Sequence, residues 1–250
     1  MTRIGVPYFL TRHEPDVDFA IPLDTEVRAE MVDEPGWSPL LPLYKNVAAA
    51  VAEDVAAGER PAVVSADCTV ALGTVAGLQH AGIDPGVVWL DAHGDVQTME
   101  TTHSGFLGGM PLRILVGYRP ELIATPLGLR AIPEERVVLV DARDLDPPEV
   151  EYLRQAKMRH LALDELAPDT LPPGPLYVHL DLDIVDPTEL PDVRYPAPGG
   201  PGLAAVVDAM HMMFGTDRVV GVGIACTWSA GTVLGDDVRA LLAAILPDRE

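Results

Sequence analysis

Short apolar runs, separated by longer amphipathic stretches, set the pattern of this chain. The runs fall at Ile4–Leu10, Pro61–Ser65, Val87–Leu90, Arg136–Asp141, Arg159–Leu163, Leu176–Leu182 and Val219–Ala225. Each is brief, rich in Val, Leu and Ile, and bounded by Gly, Pro or Asp, the signature of a strand. Between them the spacing of apolar residues predicts helices over Leu43–Ala57, Thr69–Ala81, Pro111–Val116, Pro148–Ala156, Leu203–Phe214 and Val233–Leu246. Gly58 and Gly82 stand just beyond the first two, where a helix stops most easily. Residues 11–42 are rich in Pro, Asp and Glu without periodicity; they predict a long surface loop, with Trp37 capping an edge of the core. Strands that alternate with helices imply an α/β fold with a parallel sheet covered on both faces, in one domain over residues 1–250.

Three predicted strands end in groups that bind cations. Val87–Leu90 runs directly into Asp91, His93 and Asp95, Pro61–Ser65 into Asp67 and Cys68, and Leu176–Leu182 into Asp181 and Asp183, with Asp186-Pro187 after them. Ligands of open parallel sheets bind at the carboxyl ends of the strands. Burying several unpaired carboxylates there is expensive, and a divalent cation removes that cost. Cys68, Asp91, His93, Asp95, Asp181 and Asp183 are more ligands than one ion needs. Two cations sharing Asp91 and Asp181 fit the set, and paired metals make a water nucleophilic near neutral pH. Carboxylates with an imidazole suit Mn²⁺, while the Cys68 thiolate shifts preference towards Zn²⁺.

Composition narrows the partners. With 17 Lys and Arg against 38 Asp and Glu, the formal net charge is −21, which disfavours nucleic acid and anionic membrane surfaces. An apolar share of 48% argues for a filled globule. The two cysteines form no disulfide framework, and neither a signal-peptide run nor a long apolar span is present. The expectation is a cytoplasmic protein acting on a small molecule.

The order of Ser65-Ala66-Asp67-Cys68-Thr69, Asp91-Ala92-His93-Gly94-Asp95, Ser104 to Pro111, and Asp181-Leu182-Asp183 with Asp186-Pro187 resembles the ureohydrolase (arginase/agmatinase) family. The resemblance implies a three-layer α/β/α domain with a mainly parallel sheet of about eight strands, assembled as a trimer or hexamer. It also implies hydrolysis of a guanidinium by a hydroxide bridging two Mn²⁺ ions. By position, Asp91 and Asp181 would bridge, Cys68 and Asp95 would complete one ion, and His93 with Asp183 the other.

Four departures bear on the substrate. Cys68 stands where the family has a ligand His. Phe106 replaces an Asn that meets the substrate's carboxylate, and Gly108 replaces a proton-relay His, leaving His103 as the nearby imidazole. Cys226 falls where a Glu would grip the guanidinium, with Trp228 offering a cation–π face close by. The later loop is shortened to Pro198-Gly199-Gly200-Pro201-Gly202-Leu203. With Cys68, Gly108 and the run Glu100 to Met110, the metal-site style resembles that of the N-hydroxyarginine amidinohydrolase branch.

The expectation is a dinuclear-metal hydrolase of a C–N bond in a guanidino or linear amidino compound. Asp95 and His103 are its predicted proton carriers, and Phe106, Cys226 and Trp228 its predicted substrate contacts. The competing expectation is a non-catalytic metal- or ligand-binding relative or partner subunit.

Overall fold

An eight-stranded sheet frames the computed structural model, which describes residues 1–32, 34–226, 228 and 231–246. Its strands are β1 (Thr2–Val6), β2 (Thr25–Glu26), β3 (Pro61–Ser65), β4 (Gly86–His93), β5 (Val137–Asp144), β6 (Arg159–Leu161), β7 (Leu176–Asp181) and β8 (Val219–Ala225). They lie in the order β2-β1-β3-β8-β7-β4-β5-β6, and every pairing among the described residues of this sheet is parallel. Seven helices accompany them among the described residues: α1 (Leu41–Ala56), α2 (Ala71–His80), α3 (Pro111–Leu115), α4 (Ala124–Leu127), α5 (Pro147–Gln155), α6 (Leu203–Phe214) and α7 (Asp236–Ala244).

Alternation along each strand divides the apolar side chains between two cores. Val63, Val87, Trp89 and Leu139 face one way and meet Val47 and Val51 of α1 and Leu72 and Val75 of α2. Val64, Val88, Leu90, Val140 and Leu180 face the other way, against Val206 and Met210 of α6 and Leu242 of α7. Burial on both faces is why these strands read as unbroken apolar runs. Close approach of α1 to α2 requires Gly77, where a Cβ would sit 2.6 Å from the Ala48 carbonyl oxygen.

The structure departs from the predicted elements where backbone geometry overrides pattern. The first strand stops at Val6 rather than Leu10, because Pro7 breaks the ladder. Tyr8–Phe9 then pairs antiparallel with Arg12–His13 around Leu10, which has φ +50°. The predicted surface loop 11–42 contains the edge strand β2, and its Trp37 is buried within the first core. Strand β5 runs on past Asp141 to Asp144. Its ladder with β4 shifts register there, with Asp141 and Ala142 at φ +73° and +46°. Such a bulge re-aims the side chains after it, and here it brings Asp144 beside His93.

Candidate metal centre

One local device builds all three strand ends. Asp67 Oδ1 accepts the Thr69 N–H at 2.8 Å, Asp91 Oδ1 that of His93 at 2.7 Å, and Asp181 Oδ1 that of Asp183 at 2.9 Å. Each is an aspartate bonding its own backbone two residues on, within β4 at Asp91 and at a turn without a glycine after β3 and β7. After β3 and β7 the turn tightens into single helical turns, Cys68–Val70 and Leu182–Ile184, that direct Cys68 and Asp183 inward.

The side chains converge in two overlapping triads. Cys68, Asp91 and Asp181 present ligand atoms within 4.8 Å of one another, as do Asp91, His93 and Asp183. The Cys68 Sγ donates to Asp181 Oδ2 at 2.6 Å and lies 4.0 Å from Asp91 Oδ2. His93 Nδ1 lies 3.1 Å from Asp183 Oδ2 and 3.4 Å from Asp91 Oδ1. Asp91 thus belongs to both triads. Asp95, at φ +53°, is buried beside them, and its Oδ2 has no hydrogen-bond partner.

The electrostatics of this cluster call for positive charge. Burial, then the charges of Asp91 and Asp181, pushes the Asp95 carboxyl well above its ordinary range. Burial and the charges of Asp183 and Asp91 do the same to Asp181. Burial and Asp91 raise Asp183 to about 6. Burial opposes ionisation of Asp91 too, but hydrogen bonds and charge from His93 outweigh it and hold Asp91 below its usual value. His93 pairs with Asp183 and Asp91, and against the effect of burial it is pushed up to about 12. Burial, followed by the charges of Asp181, Asp95 and Asp91, keeps the Cys68 thiol far above its ordinary value in the absence of a cation. A single imidazolium cannot neutralise four buried carboxylates, so the donor set fits divalent cations. Cys68, Asp91 and Asp181 would hold one and Asp91, His93 and Asp183 a second, with Asp95 adjacent.

Support for the shared ligand comes from behind. Trp89 Nε1 donates to Asp91 Oδ2 at 3.1 Å, and its ring stacks on His179 with centroids 3.7 Å apart. Burial holds the His179 imidazole down at about 3, so it stays neutral beneath the acidic cluster.

A cavity of about 370 Å³ opens above these residues. His103 and Phe106 line it, as do all six predicted ligands, Asp95 among them. Cys226 and Trp228 do not. Cys226 is fully buried, its thiol against the Phe19 carbonyl oxygen at 3.9 Å, and Trp228 is buried with Nε1 donating to the Asp18 carbonyl at 2.8 Å. Both belong to the core at the end of β8 and the substrate role predicted for them is withdrawn.

Sequence reasoning missed much of the cavity lining. Gln97, Asp144, Asp146 and Glu149 line it, and Phe9 and Tyr195 line it beside Phe106. Glu149 accepts the Asp146 N–H at 3.1 Å at the start of α5, and Gln97 Nε2 donates to Asp146 at 2.7 Å. The run Asp144-Leu145-Asp146-Pro147-Pro148-Glu149 carries a detectable signal, an acidic helix start directly after a buried strand.

A parallel sheet with cation-seeking ligands at three strand ends defines an α/β protein with a candidate metal centre. The chain belongs to the arginase family, whose model matches residues 12–227. It is similar to the N(omega)-hydroxy-L-arginine amidinohydrolase of Streptomyces lavendulae, 32% identical over 76% of this chain and 70% of that protein. It is also similar to the arginase of Bacillus subtilis, 34% identical over 62% of this chain but only 56% of that enzyme, so the chain spans less than two thirds of that relative's length. Among solved structures, arginase from Bacillus caldovelox matches with a TM-score of 0.80 at 26% identity, covering 98% of this chain and 95% of the other. No described helix is long and apolar enough to cross a membrane.

Proposed function

We propose that this protein hydrolyses a C–N bond of a guanidino or amidino small molecule on the floor of the cavity. The observation that carries the reading is the pair of ligand triads sharing Asp91. Two divalent cations bound there, Mn²⁺ by the balance of hard ligands, would supply Lewis acidity and a water of lowered pKa. The protein's own groups then have defined tasks. Asp91, Asp181, Asp183, His93 and Cys68 fix the ligand geometry. Asp95, whose buried Oδ2 is unpartnered, takes the proton from water as the C–O bond forms and returns it to the amine as the C–N bond breaks. His103, exposed at the rim, exchanges that proton with solvent. The products are a urea or amide and a free amine.

Cys68 is the chain's departure from a purely nitrogen and oxygen ligand set, and it gives the two cations unequal environments. A homo-oligomer is the assembly proposed from the family resemblance. The test is a screen of guanidino and amidino compounds for urea, hydroxyurea or ammonia release by Mn²⁺-loaded protein, with metal content measured in parallel. Stoichiometric metal and product from at least one compound is the expected result. Two bound metals with no product from any compound would leave a binding role and sink the hydrolytic one.

A further inference from the structure

The upper half of the cavity differs sharply from its floor. Phe106 packs against Phe9 with ring centroids 6.0 Å apart and nearly parallel planes, and against Tyr195 at 5.2 Å. The three rings form one wall. The lining also carries Asp144, Asp146 and Glu149. Among the described residues, no Lys or Arg side chain lines the cavity.

Two guanidinium groups come near, and both are paired with the same carboxylate. Arg194 lies 4.1 Å from the centre of the Phe9 ring and Arg12 lies 5.6 Å from it. Both are bound to Glu14, at 2.6 and 2.5 Å, and neither lines the cavity. Glu14 is itself buried, so releasing either Arg would leave its carboxylate with one fewer partner.

From this arrangement we infer that the substrate's far end is an aromatic or alkyl group without a carboxylate. The inference rests on the hydrolytic reading for the position of the reacting end, and on the aromatic and acidic lining for the rest. A carboxylate in the upper cavity would meet carboxylates and the negative faces of aromatic rings, with no Lys or Arg among the described lining residues to receive it. A flat apolar group instead packs against Phe106 and Tyr195. The acidic lining adds attraction for the protonated guanidine as it enters.

The test separates binding from turnover. Calorimetric titration of the Mn²⁺-loaded protein is run with 2-phenylethylguanidine, with its para-carboxylate analogue, and with arginine. The uncharged-tailed compound is expected to bind at least about tenfold more tightly than either carboxylate. Equal or tighter binding of a carboxylate overturns the inference. Phe106→Asn should shrink the gap by about tenfold. Should that variant fail to fold, Tyr195→Leu tests the same wall, and an unchanged gap there also overturns it. Tight binding of 2-phenylethylguanidine, with no product from it or from any compound of the screen, would refute the hydrolysis while supporting the tail preference. Faster product release from arginine than from 2-phenylethylguanidine would do the reverse.

Discussion

The Phe106 ring occupies the space that a side chain at Gly108 would need: a Cβ built on Gly108 would lie 2.3 Å from Phe106 Cε1. The Phe for Asn and Gly for His departures are therefore one steric unit. Gly108→Ala should force the ring out of its contacts with Phe9 and Tyr195, at a cost of about 1 kcal/mol, the low end for overpacking because the ring tip can swing. Phe106→Ala combined with Gly108→Ala should recover most of that loss relative to Phe106→Ala alone. Denaturant unfolding of the four proteins measures the coupling. Strict additivity would show that the two positions are independent.

A second contact makes a prediction about metal affinity. The Trp89 N–H is the hydrogen bond that orients Asp91 Oδ2, the ligand common to both triads. Trp89→Phe keeps a ring to stack on His179 and removes the donor. Groups that orient metal ligands typically affect affinity by about 10- to 100-fold, and a loss in that range is expected here. Chelator competition reads the affinity, and circular dichroism checks that the fold persists. Unchanged affinity would reduce Trp89 to a packing residue.

Much of this architecture was legible because strands buried on both faces advertise themselves. Val219–Ala225 and Leu203–Phe214 have the same limits in the sequence pattern and in the structure. Asp91, His93, Asp181 and Asp183 were legible for a related reason: polar ligands that directly follow apolar strands stand out. Asp144 was not, since a bulge at Asp141–Ala142 carries the strand past its apparent end, and a bulge leaves little periodic trace. Phe9 was hidden by the turn at Leu10, and Tyr195 by its place in a proline-rich loop. Cys226 and Trp228 were misplaced because position after a strand says little about which way a side chain leaves the sheet.

Cys68 tests whether the two cation positions differ. Only one triad contains sulfur, so Cys68→Ser should weaken one ion and spare the other. In Co²⁺-loaded protein the sulfur-to-metal charge-transfer absorption should vanish in the variant, while about one ion per chain remains bound tightly. Loss of both ions together would mean that the triads cannot fill independently. An identical spectrum would remove Cys68 from the ligand set.

The acidic cluster sets the pH dependence of stability, and metal reverses it. Burial and Asp91 raise the Asp183 carboxyl from 3.8 to about 6, and Asp95 and Asp181 lie well above their ordinary range. Between 3.8 and about 6 the folded protein therefore holds protons on Asp183 that the unfolded chain has released. Stability from this source is present at the acid end of that window and is lost as pH rises through it. His93, raised from 6.5 to about 12, acts in the same direction: its contribution is full below 6.5 and declines above. Cations displace these protons, so their affinity climbs with pH. The gap in Tm between Mn²⁺-loaded and chelator-treated protein should accordingly widen from about pH 4 to about pH 8. Asp181→Ala, which removes a ligand of one triad, should cut metal content by at least about one ion per chain and flatten that widening. Scanning calorimetry across the range settles the matter, and a gap independent of pH would mean that the cluster does not exchange protons for metal.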